Sequence, residues 1–143
     1  MKKLFKLTLL FYITANVFSF SFGNDDFFRK GLEFYNEKKY QDARFMFERS
    51  IVFNPKDSKS YLYLAKIYNV EEDIKKEEKN LEATLLIEPN NEEAILMSMK
   101  IALEKSNYSK VKNLSNTFTE VCKKLCDENK NILETLKNIE PEQ

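Results

Sequence analysis

Apolar positions along this chain recur at intervals of three and four. Phe27, Gly31 and Phe34 are spaced by four and three, which puts them on one face of a helix. Tyr40, Ala43, Phe47 and Ser50 carry the same stripe into a second helix, and the polar run Asn36-Glu37-Lys38-Lys39 joins the two. Small Gly31, Ala43 and Ser50 fall where two backbones must approach, while bulky Phe27, Phe34 and Phe47 fill the space between them. The pattern predicts a hairpin of antiparallel helices. A leucine at Gly31 or Ala43 is expected to overpack it, at a cost of about 1–3 kcal/mol.

The stripe then repeats. Pro55 and Pro89 stand 34 residues apart, each closing an apolar stretch. The same step aligns Phe27 with Tyr61 and Ile95, Gly31 with Ala65 and Met99, and Phe34 with Tyr68 and Ala102. It also aligns Tyr40 with Ile74 and Tyr108, and Phe47 with Leu81. Each proline is followed by a polar turn, Lys56-Asp57-Ser58 or Asn90-Asn91-Glu92, suited to cap the next helix. Helical spacing continues from Val111 through Leu114, Phe118, Val121, Cys122 and Leu125, then Ile132, Leu133, Leu136 and Ile139. Asp127-Glu128-Asn129-Lys130-Asn131 is expected to be a break, and the last segment a terminal helix covering the edge of the stack.

A period of this length with such positions resembles the tetratricopeptide repeat, whose pattern is a bulky residue, Leu-Gly, Tyr, then Ala, Phe and Pro. Repeat one, 24–57, carries Phe27, Gly31, Phe34, Tyr40, Ala43, Phe47, Ser50 and Pro55, departing at Lys30. Repeat two, 58–91, carries Tyr61, Leu64, Ala65, Tyr68, Leu81 and Pro89. It departs at Glu77, where a small residue is usual, so its second helix is expected to pack less tightly. Repeat three, 92–125, keeps Ile95 and Tyr108 and then drifts, with Lys123 in the proline's place. The resemblance implies an all-α fold: antiparallel helix-pair repeats stacked as a short right-handed α-solenoid, about 2.5–3 units plus a C-terminal helix. The alternative is a helical bundle without a repeat.

The resemblance also implies a concave groove that holds an extended peptide or a partner helix. Carried over by offset, its lining is Phe28, Leu32, Tyr35 and Asn36 from repeat one. Repeat two adds Lys59, Leu62, Lys66 and Asn69, and repeat three adds Leu96, Lys100 and Leu103. An apolar end beside Lys59, Lys66 and Lys100 suits a ligand with an apolar anchor and a carboxylate. The family's variant that clamps a C-terminal carboxylate needs a Lys/Asn set that Phe28 and Leu32 do not fit. The competing reading buries some of these residues against the chain's own tail.

Composition narrows the function. The 143 residues include 23 Lys and Arg, 23 Asp and Glu, no His, 2 Gly and 2 Cys. Without histidine there is no Ser-His or Cys-His nucleophile pair and no His-ligated zinc. Two glycines do not make a phosphate-cradling loop, and balanced charge argues against nucleic acid as a partner. Glu71-Glu72-Asp73 and Glu77-Glu78, among Lys75, Lys76 and Lys79, lack the alternation and central glycine of a calcium loop and read as a solvated helix face. No enzyme activity, metal or cofactor is expected.

The N-terminus carries an address. Lys2, Lys3 and Lys6 precede the uncharged run Leu7 to Phe18, then Ser19, Ser21 and Gly23, the order of a secretory signal peptide. Cleavage after Gly23 is expected, with Ser21 the other fitting point. The alternative is an uncleaved anchor, since the 17 residues from Leu7 to Gly23 reach the low end of a membrane span. Either way the rest is exported, to the periplasm or beyond. Export makes a disulfide between Cys122 and Cys126 available. On a regular helix, however, side-chain origins four apart lie ~5–6 Å from each other, against the ~3.8 Å a disulfide prefers. A bond therefore requires the helix to unwind near Cys126, and two unbonded thiols are the alternative. The sequence thus points to an exported, non-catalytic adaptor for a protein or peptide. The alternatives are a membrane-anchored subunit of an envelope assembly, and weak self-association through the repeat ends.

Overall fold

The computed structural model describes residues 24–139, so the expected leader, residues 1–23, lies outside the described residues. Among the described residues there is no strand. The described residues form seven consecutive α-helices: α1 (Asn24–Asn36), α2 (Tyr40–Phe53), α3 (Ser58–Val70), α4 (Ile74–Ile87), α5 (Glu92–Glu104), α6 (Tyr108–Val121) and α7 (Cys126–Ile139). Helices start at 24, 58, 92 and 126, and at 40, 74 and 108, so the 34-residue period is also the period of the backbone. Within a pair the link is three residues (37–39, 71–73, 105–107); between pairs it is a four-residue corner (54–57, 88–91, 122–125). Pairs α1/α2, α3/α4 and α5/α6 stack in order, and α7 packs on α5 and α6. The fold is an all-α, right-handed solenoid of helix pairs.

Each link closes by the same device. Lys38, Glu72 and Ser106, one period apart, have φ of 60°, 58° and 54°. The next residue's N–H then reaches back into the helix just ended: Lys39 to the Phe34 carbonyl at 2.9 Å, Asp73 to Tyr68 at 2.9 Å, Asn107 to Ala102 at 2.8 Å. A left-handed residue stops a helix in this way. Asp73 and Asn107 then cap α4 and α6, accepting from the N–H groups of Lys76 and Lys110 at 3.1 Å each. At the corners Asp57 and Asn91 cap α3 and α5 as the sequence predicts, accepting from Ser60 and Ala94.

The close approach expected in repeat one is present. A Cβ on Gly31 would lie 2.6 Å from Phe47 Cε1, and Ala43, Phe47 and Ser50 are fully buried in α2. The core runs as three clusters along the stack, the last of which joins Ile95, Leu96 and Met99 to Phe118 and to Ile132 and Leu136 of α7.

Two expectations for the C-terminal part need correction. Residues 127–131 are not a break: they form the first turns of α7, and the break is the corner 122–125, where the period places it. The polar run misleads because it is the start of a helix whose solvent side is charged. Asp127 and Glu128 occupy the first turn, where acids complement the helix dipole, while Asn129 turns inward and is buried. Nor does the backbone of repeat three drift, for Lys123 takes the turn position of Pro55 and Pro89. Cys122 and Cys126 are disulfide-bonded across this corner, with Cα atoms 5.4 Å apart. The chain unwinds between them, Cys122 being extended at φ −64°, ψ 139°. Glu92 secures the same corner by accepting from the N–H groups of Lys124 and Leu125 at 3.0 and 2.9 Å.

Candidate functional site

All three first helices share one cleft, of about 320 Å³. Tyr35 comes from α1, Lys66, Asn69 and Val70 from α3, and Glu93, Met97, Lys100, Ile101 and Glu104 from α5. The second helix α4 contributes Glu77. Spacings of three and four along α3 and α5 bring these residues to one face.

An aromatic cluster stands at the α1 side. Tyr63 of α3 sits 5.0 Å from Tyr35, 5.2 Å from Phe47 and 5.8 Å from Phe28, ring centre to ring centre. Such contacts add about 0.5–1.5 kcal/mol each beyond burial. The Lys66 ammonium lies 4.6 Å from the centre of the Tyr63 ring and 2.7 Å from Glu93 Oε1. Burial pushes the Tyr35 phenol above its ordinary pKa, with the nearby Tyr40, Tyr63 and Glu93 acting the same way.

Glu77 overturns its expected place on a solvated face. The residue is 2% exposed, and Asn69 Nδ2 donates to its two carboxylate oxygens at 3.2 and 3.3 Å. Burial raises its pKa, the Asn69 hydrogen bond opposes that, and the charge of Glu104 adds to the rise. Glu78 does not pair along its own helix either. It bridges to Lys105 at 2.6 Å and Lys110 at 3.4 Å in the next repeat, and those two lysines hold its carboxyl below the usual range.

Of the expected groove residues, Tyr35, Lys66, Asn69 and Lys100 line the cleft. Leu62 and Leu96 are core residues, 7% and 5% exposed. Leu62 packs with Ala65, Leu81 and Ile101, and Leu96 with Met99, Phe118 and residues of α7. Leu103 is half-buried against that last cluster, and Phe28 against Phe47 and Tyr63. Leu32 is half-buried, while Asn36 and Lys59 are exposed and stand outside the cleft's lining. The offset carried over from repeat one thus holds at Lys66, Asn69 and Lys100 and fails at Leu62 and Leu96, which turn into the core. Met97 lines the cleft beside the place expected for Leu96, and its period mate Tyr63 packs against Tyr35 and Lys66, two residues of the lining. Val70 and Glu104 are the period mates of Asn36, so stepping by 34 from that residue would have found them. No group of three or more metal-ligating side chains occurs among the described residues.

No family model matches the chain, and no curated protein does. Its similarity is to solved structures. The Yersinia enterocolitica type III secretion chaperone SycD, in complex with a peptide of the translocator YopD, superposes with a TM-score of 0.73 at 15% identity, covering 80% of this chain and 92% of that one. The TPR domain of Arabidopsis OM64 gives 0.71 at 16% identity over 81% and 95%. The TPR2B domain of yeast Sti1, in complex with pHsp70, gives 0.71 at 12% identity over 81% and 97%. The chain therefore has the fold of tetratricopeptide-repeat domains.

Proposed function

We propose that this protein is a non-catalytic adaptor that holds a peptide segment or helix of a partner protein against its first helices. The observation that carries the reading is the cleft shared by α1, α3 and α5, with an aromatic wall at one end and charged groups along it. Fold alone does not assign function; what supports this reading is a concave site of mixed apolar and charged character. Two solved structures of the same fold are also complexes, one with a peptide of YopD and one with pHsp70. The N-terminal pattern and the Cys122–Cys126 disulfide support an exported location in the cell envelope. Among the described residues no helix is long and apolar enough to cross a membrane.

A photoreactive amino acid placed at Tyr35, with another at exposed Glu82 on α4 as control, tests the site in cells. The expected result is a discrete adduct from position 35 that is absent from position 82 and abolished when Met97→Trp fills the cleft. Equal adducts from both positions would refute the groove. Intact-mass measurement of the purified protein separates the two forms of export, since a start at Asn24 means a released protein and a start at Met1 an anchored one.

A further inference from the structure

The cleft contains a carboxylate that the chain itself does not neutralise. Glu77 is 2% exposed, and both its oxygens share one N–H group, that of Asn69 Nδ2. A carboxylate accepts about four hydrogen bonds, so acceptor capacity remains. A charge taken out of water and met only by a neutral amide is costly, and a cation beside it offsets that cost. The lysines at the cleft do not serve. Lys66 is held by Glu93 at 2.7 Å, and Lys100 is exposed and is not among the groups that act on Glu77. Among the described residues, the charged neighbour that acts on Glu77 is Glu104, and it is repulsive. The cleft thus carries Glu77, Glu93 and Glu104 against two lysines, one already paired. Met97 and Ile101 beside them offer an apolar wall for methylene groups.

We propose that the cleft takes a lysine or arginine side chain of the partner peptide, its stem against Met97 and Ile101 and its cationic head on Glu77. This rests on the adaptor reading and names the chemistry of its ligand. It reverses the carboxylate-bearing ligand expected from Lys59, Lys66 and Lys100, because Lys59 lies outside the lining, Lys66 is spent on Glu93, and Lys100 stands against two further carboxylates, Glu77 and Glu104.

Selection of a displayed random peptide library on the full chain, followed by affinity measurement of the enriched peptides, tests it. The expected peptides share a lysine or arginine. Replacing that residue by norleucine, or Glu77→Gln in the protein, weakens binding about tenfold, or ~1.4 kcal/mol, and both changes together weaken it no further. Glutamine keeps the volume and a partner for Asn69, and a thermal melt at least as high as that of the parent confirms that the variant folds. Peptides bound through Asp, Glu or a C-terminal carboxylate would overturn the cationic ligand and leave the adaptor standing. A lysine or arginine preference untouched by Glu77→Gln would overturn it as well. A library that yields no cleft binder would sink both readings.

Discussion

At Gly31 the helices leave room for a hydrogen atom only. An added Cβ meets Phe47 Cε1 at 2.6 Å and Cδ1 at 2.8 Å, and that ring is fully buried between Phe28 and Tyr63. Gly31→Ala, which gains about 1 kcal/mol in an unconstrained helix, should here destabilise by about 1–3 kcal/mol in urea unfolding. Phe47→Leu added to it should restore part of the loss; strictly additive losses would show that the ring is not the obstacle. Such small residues are legible in sequence because steric limits act on one residue type at one spacing. Glu77 is the opposite case. In a run of charges it looks solvated, and only packing of α4 against α3 brings Asn69 to it. Its pKa is raised in the fold, so folded protein binds the proton before unfolded chain does as pH falls. The burial cost is therefore present above the folded pKa and disappears below the unfolded one, about 4.3. Glu77→Gln should raise the thermal midpoint by a few degrees at pH 7 and leave it unchanged near pH 3.5; equal effects at both would place the carboxylate in water.

The links and corners are the elements that set the repeat. Lys38, Glu72 and Ser106 hold positive φ without being glycine, which costs roughly 1–2 kcal/mol for an ordinary side chain. Replacing each by glycine should add roughly 0.5–1 kcal/mol after glycine's larger unfolded entropy is subtracted, as read from denaturant midpoints. No proline or glycine marks these positions, so the turn conformation was invisible one residue at a time, although their spacing was not. The third corner replaces proline with a covalent staple, Cys122–Cys126, and with the Glu92 carboxylate on two backbone N–H groups. Those N–H groups lower the Glu92 pKa. That stabilisation is present above the unfolded pKa and lost as pH falls through the folded one. Cys122→Ser with Cys126→Ser should speed amide exchange throughout α7 while α3 and α4 keep their protection. Unchanged exchange in α7 would mean that Ile132 and Leu136 alone hold the helix down.

Across the whole molecule, equivalent positions are tied from one repeat to the next by reciprocal charges. Arg44 pairs with Glu71 at 3.2 Å, and one period later Glu78 pairs with Lys105 at 2.6 Å, the signs exchanged. Exposed pairs of this kind contribute little stability, but swapped signs disfavour a stack slipped by one repeat. In a solenoid each unit contacts only its neighbours, so the helices flanked on both sides, α2 to α6, should exchange their amides more slowly than α1 and α7. Sequence alone determined the 34-residue period, the helix pairs of the first two repeats and the corners at Pro55 and Pro89, because small and bulky residues recurring at that step set where two helices approach and where the chain turns. Tertiary structure alone decided what faces the cleft: Met97 rather than Leu96, Leu62 turned into the core, Lys66 closed onto Glu93, Glu77 turned inward. Periodicity specifies which residues share a helix face, whereas the rotation of that face toward its neighbours depends on side chains about a repeat away, and it is that rotation which sorts core from cleft.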